Sequence, residues 1–569
     1  MSELILALSV MFVTAGVLLL VANHFGLSPI PFYIIAGLIA GVFVDQGALI
    51  DLAQWGIAFL VFVFGIQVNF GALQSVLRDG EVAAATQLIV VAPIAFVIGW
   101  AFGYALGFEN VVLNAVYFAT AATLSSTIIG AGLLEREIRD NLVHGRLASA
   151  VHFFDDLVAI ALVVILSAEV FTATQITSKI GYAVLLLIAA LVIYRHGFPL
   201  LIRLADGFEE LILMGSISIL IAFMAAAEAA GVSIVVGAFA AGIAIRSDGA
   251  QALGVRNGIE SIKDFFVAIF FVTVGALVLV GPLAAEQFLE VTLLAGTLVL
   301  LVVVVNPIVI MAAFASEGYD MRTAFLTSTS LDQVSEFALI IAIQALLLET
   351  IEGPIFDAII LAAAITMILS SFTRRHEDQL YNTLVEPFVG QRRTTKIDER
   401  SQVDDELTDH VVIVGYGRQG RRAVEALEQL EQSYVVIEND PYLWDGLRAE
   451  CRNYVLGDAM TDYPWERAHA DDARLVVSTV DDERVSTTIL GRSSPADVVC
   501  RAGSATTAQQ LLEQGATYVS VPNVLAGDQL VDIVAGVLEN PEDRSALKRE
   551  HLDMLHELER YGFATRFDR

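Results

Sequence analysis

The chain has 569 residues, is 56% hydrophobic with a mean hydropathy of +0.67, and carries 64 acids against 33 bases for a net charge of -31. A single water-soluble globule is excluded, because the apolar residues lie almost entirely before residue 372 and the last third is polar and densely charged; a membrane domain precedes a soluble one. No basic patch suits nucleic acid, and two cysteines, Cys451 and Cys500, make neither a disulfide framework nor a cysteine metal site.

Residues 1–375 read as an all-α polytopic membrane domain. Its first apolar segment, ELILALSVMFVTAGVLLLVA, has no basic stretch before it and reads as a retained span. At ~20 residues per crossing about thirteen spans emerge: 3–23, 29–44, 54–74, 83–106, 112–133, 148–168, 180–195, 210–227, 232–246, 264–281, 290–315, 323–348 and 355–372. Nearly every base falls in loops after odd-numbered spans (Arg78, Arg136, Arg139, Arg146, Arg195, Arg203, Arg246, Arg256, Lys263, Arg322, Arg374, Arg375), while acids dominate the other loops. Positive charge stays inside, so the N-terminus lies outside and the soluble domain is cytoplasmic, on a multi-pass protein of the cell membrane.

Two spans differ from lipid-facing helices. The fifth centres on Thr123, Ser125, Ser126 and Thr127, and the twelfth on Thr327 to Ser330, Asp332 and Glu336. Hydroxyl side chains can satisfy backbone groups freed where a helix breaks. The two segments are seven spans apart, the placement expected of an inverted repeat whose broken helices cross near a substrate site.

Between them HFFDDLVAIA puts Asp155 and Asp156 in the sixth span, where a charge costs ~2.5–3.5 kcal/mol on insertion scales. A carboxylate pair at mid-membrane can hold either protons or a small hard cation, and oxygen-only ligation suits Na⁺, K⁺ or Li⁺. Adjacent helical residues diverge by ~100°, so Asp156 lines the site and Asp155 flanks it. Four other assignments are interfacial or packing roles: His152 near the cytoplasmic end, Gln67 and Asn69 near the surface, Glu228 at the interface, and Lys263 with Asp264 beginning the tenth span. The rival to exchange is a nucleotide-gated potassium channel, which needs a filter like TVGYG; the nearest string is Thr273-Val274-Gly275-Ala276 inside an apolar run.

A linker, 376–408, leads to a Rossmann-like α/β domain at 409–530 and a charged amphipathic tail at 531–569. In HVVIVGYGRQG a strand, Val411 to Val414, enters Gly415, Gly417, Arg418, Gln419 and Gly420 and then a helix, and a second strand ends on Glu438. Glycines let backbone approach a pyrophosphate at the helix N-terminus and the acid takes ribose hydroxyls. VLGDAM, LVVSTVDD, VVCRAG and GATYVSVP complete the βα pattern. Glu438 disfavours a 2′-phosphate, so NAD(H) is the first choice of nucleotide, with AMP or ATP next; no tightly bound metal is expected. The acid excess with four lysines (Lys179, Lys263, Lys396, Lys548) fits a halophilic source with a salt-screened cytoplasm, although coding bias gives the same excess.

LSSTII (124–129), FFDDLVAI (153–160), GVSIVVGAFAAGI (231–243), FFVTVGA (270–276) and SLDQVSEFAL (330–339) stand in the order found in monovalent cation:proton antiporters. The sequence most resembles the Kef-type potassium/proton group, which also ends in a nucleotide-binding domain of the kind found in potassium channels. The resemblance implies an elevator-type homodimer of thirteen spans exchanging K⁺ or Na⁺ for protons under nucleotide control. It implies that Asp156 binds cation and proton alternately beside Thr123, Ser125, Ser126 and Thr127, with Asp332 and Glu336 in the second broken span. It further implies that Arg418 and Arg501 face phosphates, that Asp458 meets the adenosine end, and that a small regulatory subunit is a further partner. Two departures stand out: Asp155 replaces the usual Kef-type glutamine, and Asn306 stands where electrogenic sodium/proton members carry a lysine.

Overall fold

The computed structural model describes residues 2–43, 46–67, 77–139, 142–166, 173–205, 208–245, 252–278, 282–389, 400–404, 407–440, 443–492, 496–539, 548–549 and 551–552. It divides into two compact units, Met1–Glu317 with Ala324–Pro387, and Gly318–Thr323 with Phe388–Arg569. Asn69, the side chain of Gln67, the segment Arg246 to Gln251, Lys396 and most of the charged tail lie outside the described residues.

The first unit is helical. Among the described residues six helices are long and apolar enough to cross a membrane: Gly80–Leu106, Val143–Leu166, Thr177–Ala205, Glu210–Ala229, Gln287–Glu317 and Gly353–Arg375. Shorter apolar helices fill the remainder, and the two hydroxyl-rich spans are short because each is broken. The fifth consists of Val111–Thr123 and Thr127–Leu133, and the twelfth of Met321–Thr329 and Glu336–Leu347.

Small residues bring backbones together where lipid removes the hydrophobic drive. A Cβ on Gly37, in helix Ile30–Ala40, would stand 2.0 Å from the Val272 carbonyl oxygen, and one on Gly275, in helix Ala252–Ala276, would stand 2.0 Å from the Ile34 oxygen. Gly65 and Gly242 make a second reciprocal contact, at 2.5 Å from the Phe239 oxygen and 2.2 Å from the Phe62 oxygen.

Two readings meet the helix Ala252–Ala276 here. Thr273 to Ala276 is helical, with Gly275 packed on a neighbouring helix, so its carbonyls are spent on helix bonds and form no filter. The helix that carries the tenth span begins at Ala252, so polar residues continue it before the apolar run that Lys263 and Asp264 introduce. Glu228 is exposed in the last turn of Glu209–Ala229, as an interfacial acid should be.

The second unit holds six parallel strands: β1 His410–Val414, β2 Tyr434–Glu438, β3 Tyr454–Leu456, β4 Ala473–Ser478, β5 Asp497–Arg501 and β6 Tyr518–Ser520. Their order is β3-β2-β1-β4-β5-β6, with Val412 opposite Val435 on one side and Val476 on the other. β1 and β2 are buried along their whole length, as strands covered on both faces require. The order reverses between β1 and β4, so a crevice opens at the carboxyl end of β1. There Gly415 has φ +93, and a Cβ on Gly420 would stand 2.0 Å from the Gly415 oxygen. Gly420→Ala therefore forces the helix from the loop, with an expected loss of about 1–3 kcal/mol, read as a lower thermal midpoint.

Candidate functional site

The first break runs extended through Leu124 and Ser126, whose Oγ then accepts the Ile129 N–H at 3.3 Å and caps the next half-helix. In the second break Ser335 Oγ does the same for Phe337 N–H at 3.0 Å. These are N-caps, placed by the hydroxyl clusters themselves. The extended pieces then pair antiparallel, Ser125 opposite Val334, with Ser335 N–H donating to the Leu124 oxygen at 3.1 Å. Gln333, fully buried, staples the crossing: its Nε2 donates to Ser126 O at 3.1 Å and Ser330 O at 3.0 Å, and its Oε1 accepts from Ser370 at 2.9 Å.

Helix ends carry partial charge, positive at the N-terminus and negative at the C-terminus, and each end here meets a suitable group. Glu336 Oε1 accepts the Ile128 N–H at 3.2 Å, so an acid of the second broken helix caps the first. At the carbonyl ends the Gln87 amide donates to Thr123 O, and Asn306 Nδ2 lies 3.5 Å from Leu331 O. Gln87 opens a π-helical turn, Gln87–Val91, and Asn306 follows another, Leu301–Val305; such turns often mark functional sites. Asn306 thus supplies a neutral donor where a lysine would supply a charged one.

Helix Val143–Leu166 brings the acids to this crossing, Asp155 2% and Asp156 1% exposed. Asp155 Oδ2 accepts from the Ser125 N–H at 3.0 Å and the Ser125 hydroxyl at 2.5 Å. Asp156 Oδ2 accepts from Thr127 Oγ1 at 2.8 Å, while its Oδ1 is buried without a hydrogen-bond partner, as is Glu336 Oε2. Of the four predicted hydroxyls, Ser125 and Thr127 meet the acids. Ser126 caps its helix, and Thr123 Oγ1 donates back to Ala119 O at 2.7 Å. Glu336 reaches the first broken helix through the Ile128 N–H, whereas Asp332 is buried with its Oδ1 without a hydrogen-bond partner.

His152 corrects the sequence reading. It is 1% exposed, with Nδ1 3.1 Å from Ser125 Oγ, and so belongs to the site and not to the interface. One helical turn separates it from the acids, and that spacing was the available signal. Gln87 carried no such signal, since a lone amide in an apolar run reads as packing, and Gln333 was overshadowed by the acids Asp332 and Glu336 around it.

In the soluble crevice Glu438 reaches back to the glycine loop: its Oε2 accepts the Tyr416 N–H at 2.6 Å and its Oε1 the Asp440 N–H at 2.8 Å. Burial pushes its carboxyl above the ordinary glutamate range, opposed by those backbone bonds. Gly417, Arg418 and Gln419 are exposed at the start of helix Arg418–Gln429, and Gly420 is buried beneath them. Asp458 pairs with Arg322 at 2.7 Å, and Arg501 with Asp481 at 3.2 Å, so both expected ligand contacts are engaged by protein partners.

The family model "Sodium/hydrogen exchanger, transmembrane" matches residues 8–375, and "TrkA-N domain" matches residues 411–522. The KefB protein of Alkalimonas amylolytica is 27% identical over 89% of this chain and 76% of its own length. The glutathione-regulated potassium-efflux system protein KefC of Klebsiella pneumoniae strain 342 is 26% identical over 84% of this chain and 75% of its own. The structure of the sodium proton antiporter MjNhaP1 from Methanocaldococcus jannaschii covers 67% of this chain and 99% of its own, with TM-score 0.52 at 14% identity, a likeness of fold.

Proposed function

This chain belongs to the sodium/hydrogen exchanger family, membrane transporters and not enzymes, and from that premise we propose that it exchanges K⁺ or Na⁺ for protons at Asp156, flanked by Asp155. The observation that carries the site is the Asp156 oxygen buried without a hydrogen-bond partner, on a carboxylate whose other oxygen is held by Thr127 at the first helix break. An unpaired buried acceptor is expensive, and a proton or a dehydrated cation relieves it equally well. Binding one therefore expels the other, and exchange becomes obligatory if only loaded forms reorient. Ser125 and Thr127 hold the two carboxylates; Thr123, Ser126, Asp332 and Glu336 shape the crossing. K⁺ is favoured over Na⁺ by the whole-chain likeness to a protein named for potassium efflux. The test is purified protein in liposomes with a luminal pH dye: K⁺, Na⁺ and Li⁺ are added in turn, and proton movement with none of them overturns the reading.

The TrkA-N domain binds a nucleotide, NAD(H) before AMP or ATP, along Gly415, Gly417, Arg418, Gln419 and Gly420, with Glu438 on the ribose and Asp458 and Arg501 released from their protein partners. The ligand biases transport by binding two states unequally. Calorimetry of the intact protein with NAD, NADH, AMP and ATP identifies it. Because burial raises the Glu438 carboxyl, acidification below neutrality is expected to weaken binding at a higher pH than an exposed glutamate would, and Glu438→Gln removes that pH dependence. The protein works as a homodimer in the cell membrane of a halophile, N-terminus outside. Exposed Val524, Leu525, Leu530, Val531, Val534 and Leu538 on helix Pro522–Glu539 support the association of copies.

A further inference from the structure

The second contact of Ser125 assigns a task to His152. A serine hydroxyl carries one hydrogen and two lone pairs. At 2.5 Å from Asp155 Oδ2 that hydrogen belongs to the carboxylate, so the imidazole Nδ1 at 3.1 Å must donate to the same oxygen. The hydrogen-bond network thereby selects the Nδ1–H tautomer and leaves Nε2 with its lone pair. Nε2 is buried without a hydrogen-bond partner and lies against Gly130, where a Cβ would come within 2.1 Å of it. The ring is therefore held from both sides: Ser125 takes Nδ1, and the missing side chain of Gly130 makes room for the other edge.

Resting on the reading that Asp155 and Asp156 form the exchange site, we propose that His152 is a positioning residue for cation binding. Its Nδ1–H fixes the Ser125 hydroxyl, the Ser125 hydroxyl and N–H hold Asp155 by Oδ2, and the carboxylate that flanks the cation position is thereby set in one orientation. Partners that orient ligands in this way typically govern ~10- to 100-fold of ion affinity.

The experiment uses the full chain in liposomes, with K⁺ and Na⁺ each titrated against proton release. His152→Ala is expected to raise the half-saturating cation concentration ~10-fold or more with little change in maximal rate. His152→Asn, whose amide nitrogen falls near Nδ1, restores it; His152→Gln, whose nitrogen falls near Nε2, does not. On a Ser125→Ala background His152→Ala adds nothing further, since the two act in series. A fall in maximal rate alone, an equal affinity loss on the Ser125→Ala background, or rescue by glutamine and not asparagine overturns the assignment. If His152→Ala does not fold, the asparagine and glutamine variants decide between them. Asp156→Asn runs alongside: full exchange there overturns the site and this proposal with it, whereas an inactive Asp156→Asn with wild-type affinity in His152→Ala overturns this proposal alone.

Discussion

Asp156→Asn is expected to abolish cation-driven proton movement, leaving less than about 1% of the wild-type rate in liposomes; removing a charged ligand from a buried site forfeits about 1.5–3 kcal/mol per contact, and here the proton carrier itself is gone. The amide can still accept from Thr127, whose hydroxyl lies 2.8 Å from Oδ2, so the fold is kept. What changes is the other position. Oδ1 is buried without a hydrogen-bond partner, and an amide there presents two hydrogens to the position at which the proposed mechanism places the cation. Asp155→Asn is expected to be milder, a reduced affinity with exchange retained, because Oδ2 of Asp155 is already committed to the Ser125 N–H and hydroxyl. Equal loss in the two variants would remove the distinction between the residue that carries the ion and the one beside it.

Gly275→Val is expected to have the second largest effect, on the amount of folded protein. The added carbon would begin 2.0 Å from the Ile34 carbonyl oxygen, and the same helix pair is closed on its other side by Gly37 against Val272. Both obstacles are backbone, so no rotamer change relieves them, and the helices must separate. Overpacking costs about 1–3 kcal/mol when side chains can adjust and more when they cannot. The measurement is the monodisperse yield in detergent and the thermal midpoint, both of which are expected to fall. Gly181→Val is the control: nothing lies within 4 Å of its Cβ position, and no change is expected.

The membrane domain was legible wherever chemistry repeats along the chain. Hydroxyl clusters at Thr123 to Thr127 and Thr327 to Ser330 located both breaks because a broken helix needs local donors and acceptors, and those have to be nearby in sequence. The strand, glycine loop and terminal acid from Val411 to Glu438 were legible for the same reason. Gln333 was not: its partners Ser126 and Ser370 lie 207 and 37 residues away, and only the crossing brings them together. Glu336 was placed in the correct segment, yet its bond to Ile128, 208 residues away, could not be read from spacing. His152 was misread because its place nearer the cytoplasmic end of the span suggested an interface, although counting three and four residues forward puts it on the face of the acids. Burial of a single polar side chain is a tertiary fact, and apolar neighbours conceal it.

The antiparallel pairing of Ser125 with Val334, reinforced by Gln333 and by Glu336, has a mechanical consequence. Two chain segments laced by backbone and side-chain bonds cannot slide past each other without leaving polar groups bare in hydrocarbon, so the crossing is expected to move as one stiff unit. Whatever flexes during a transport stroke must lie outside it, and spin labels attached on either side of the lacing should keep a constant separation while the cargo changes sides.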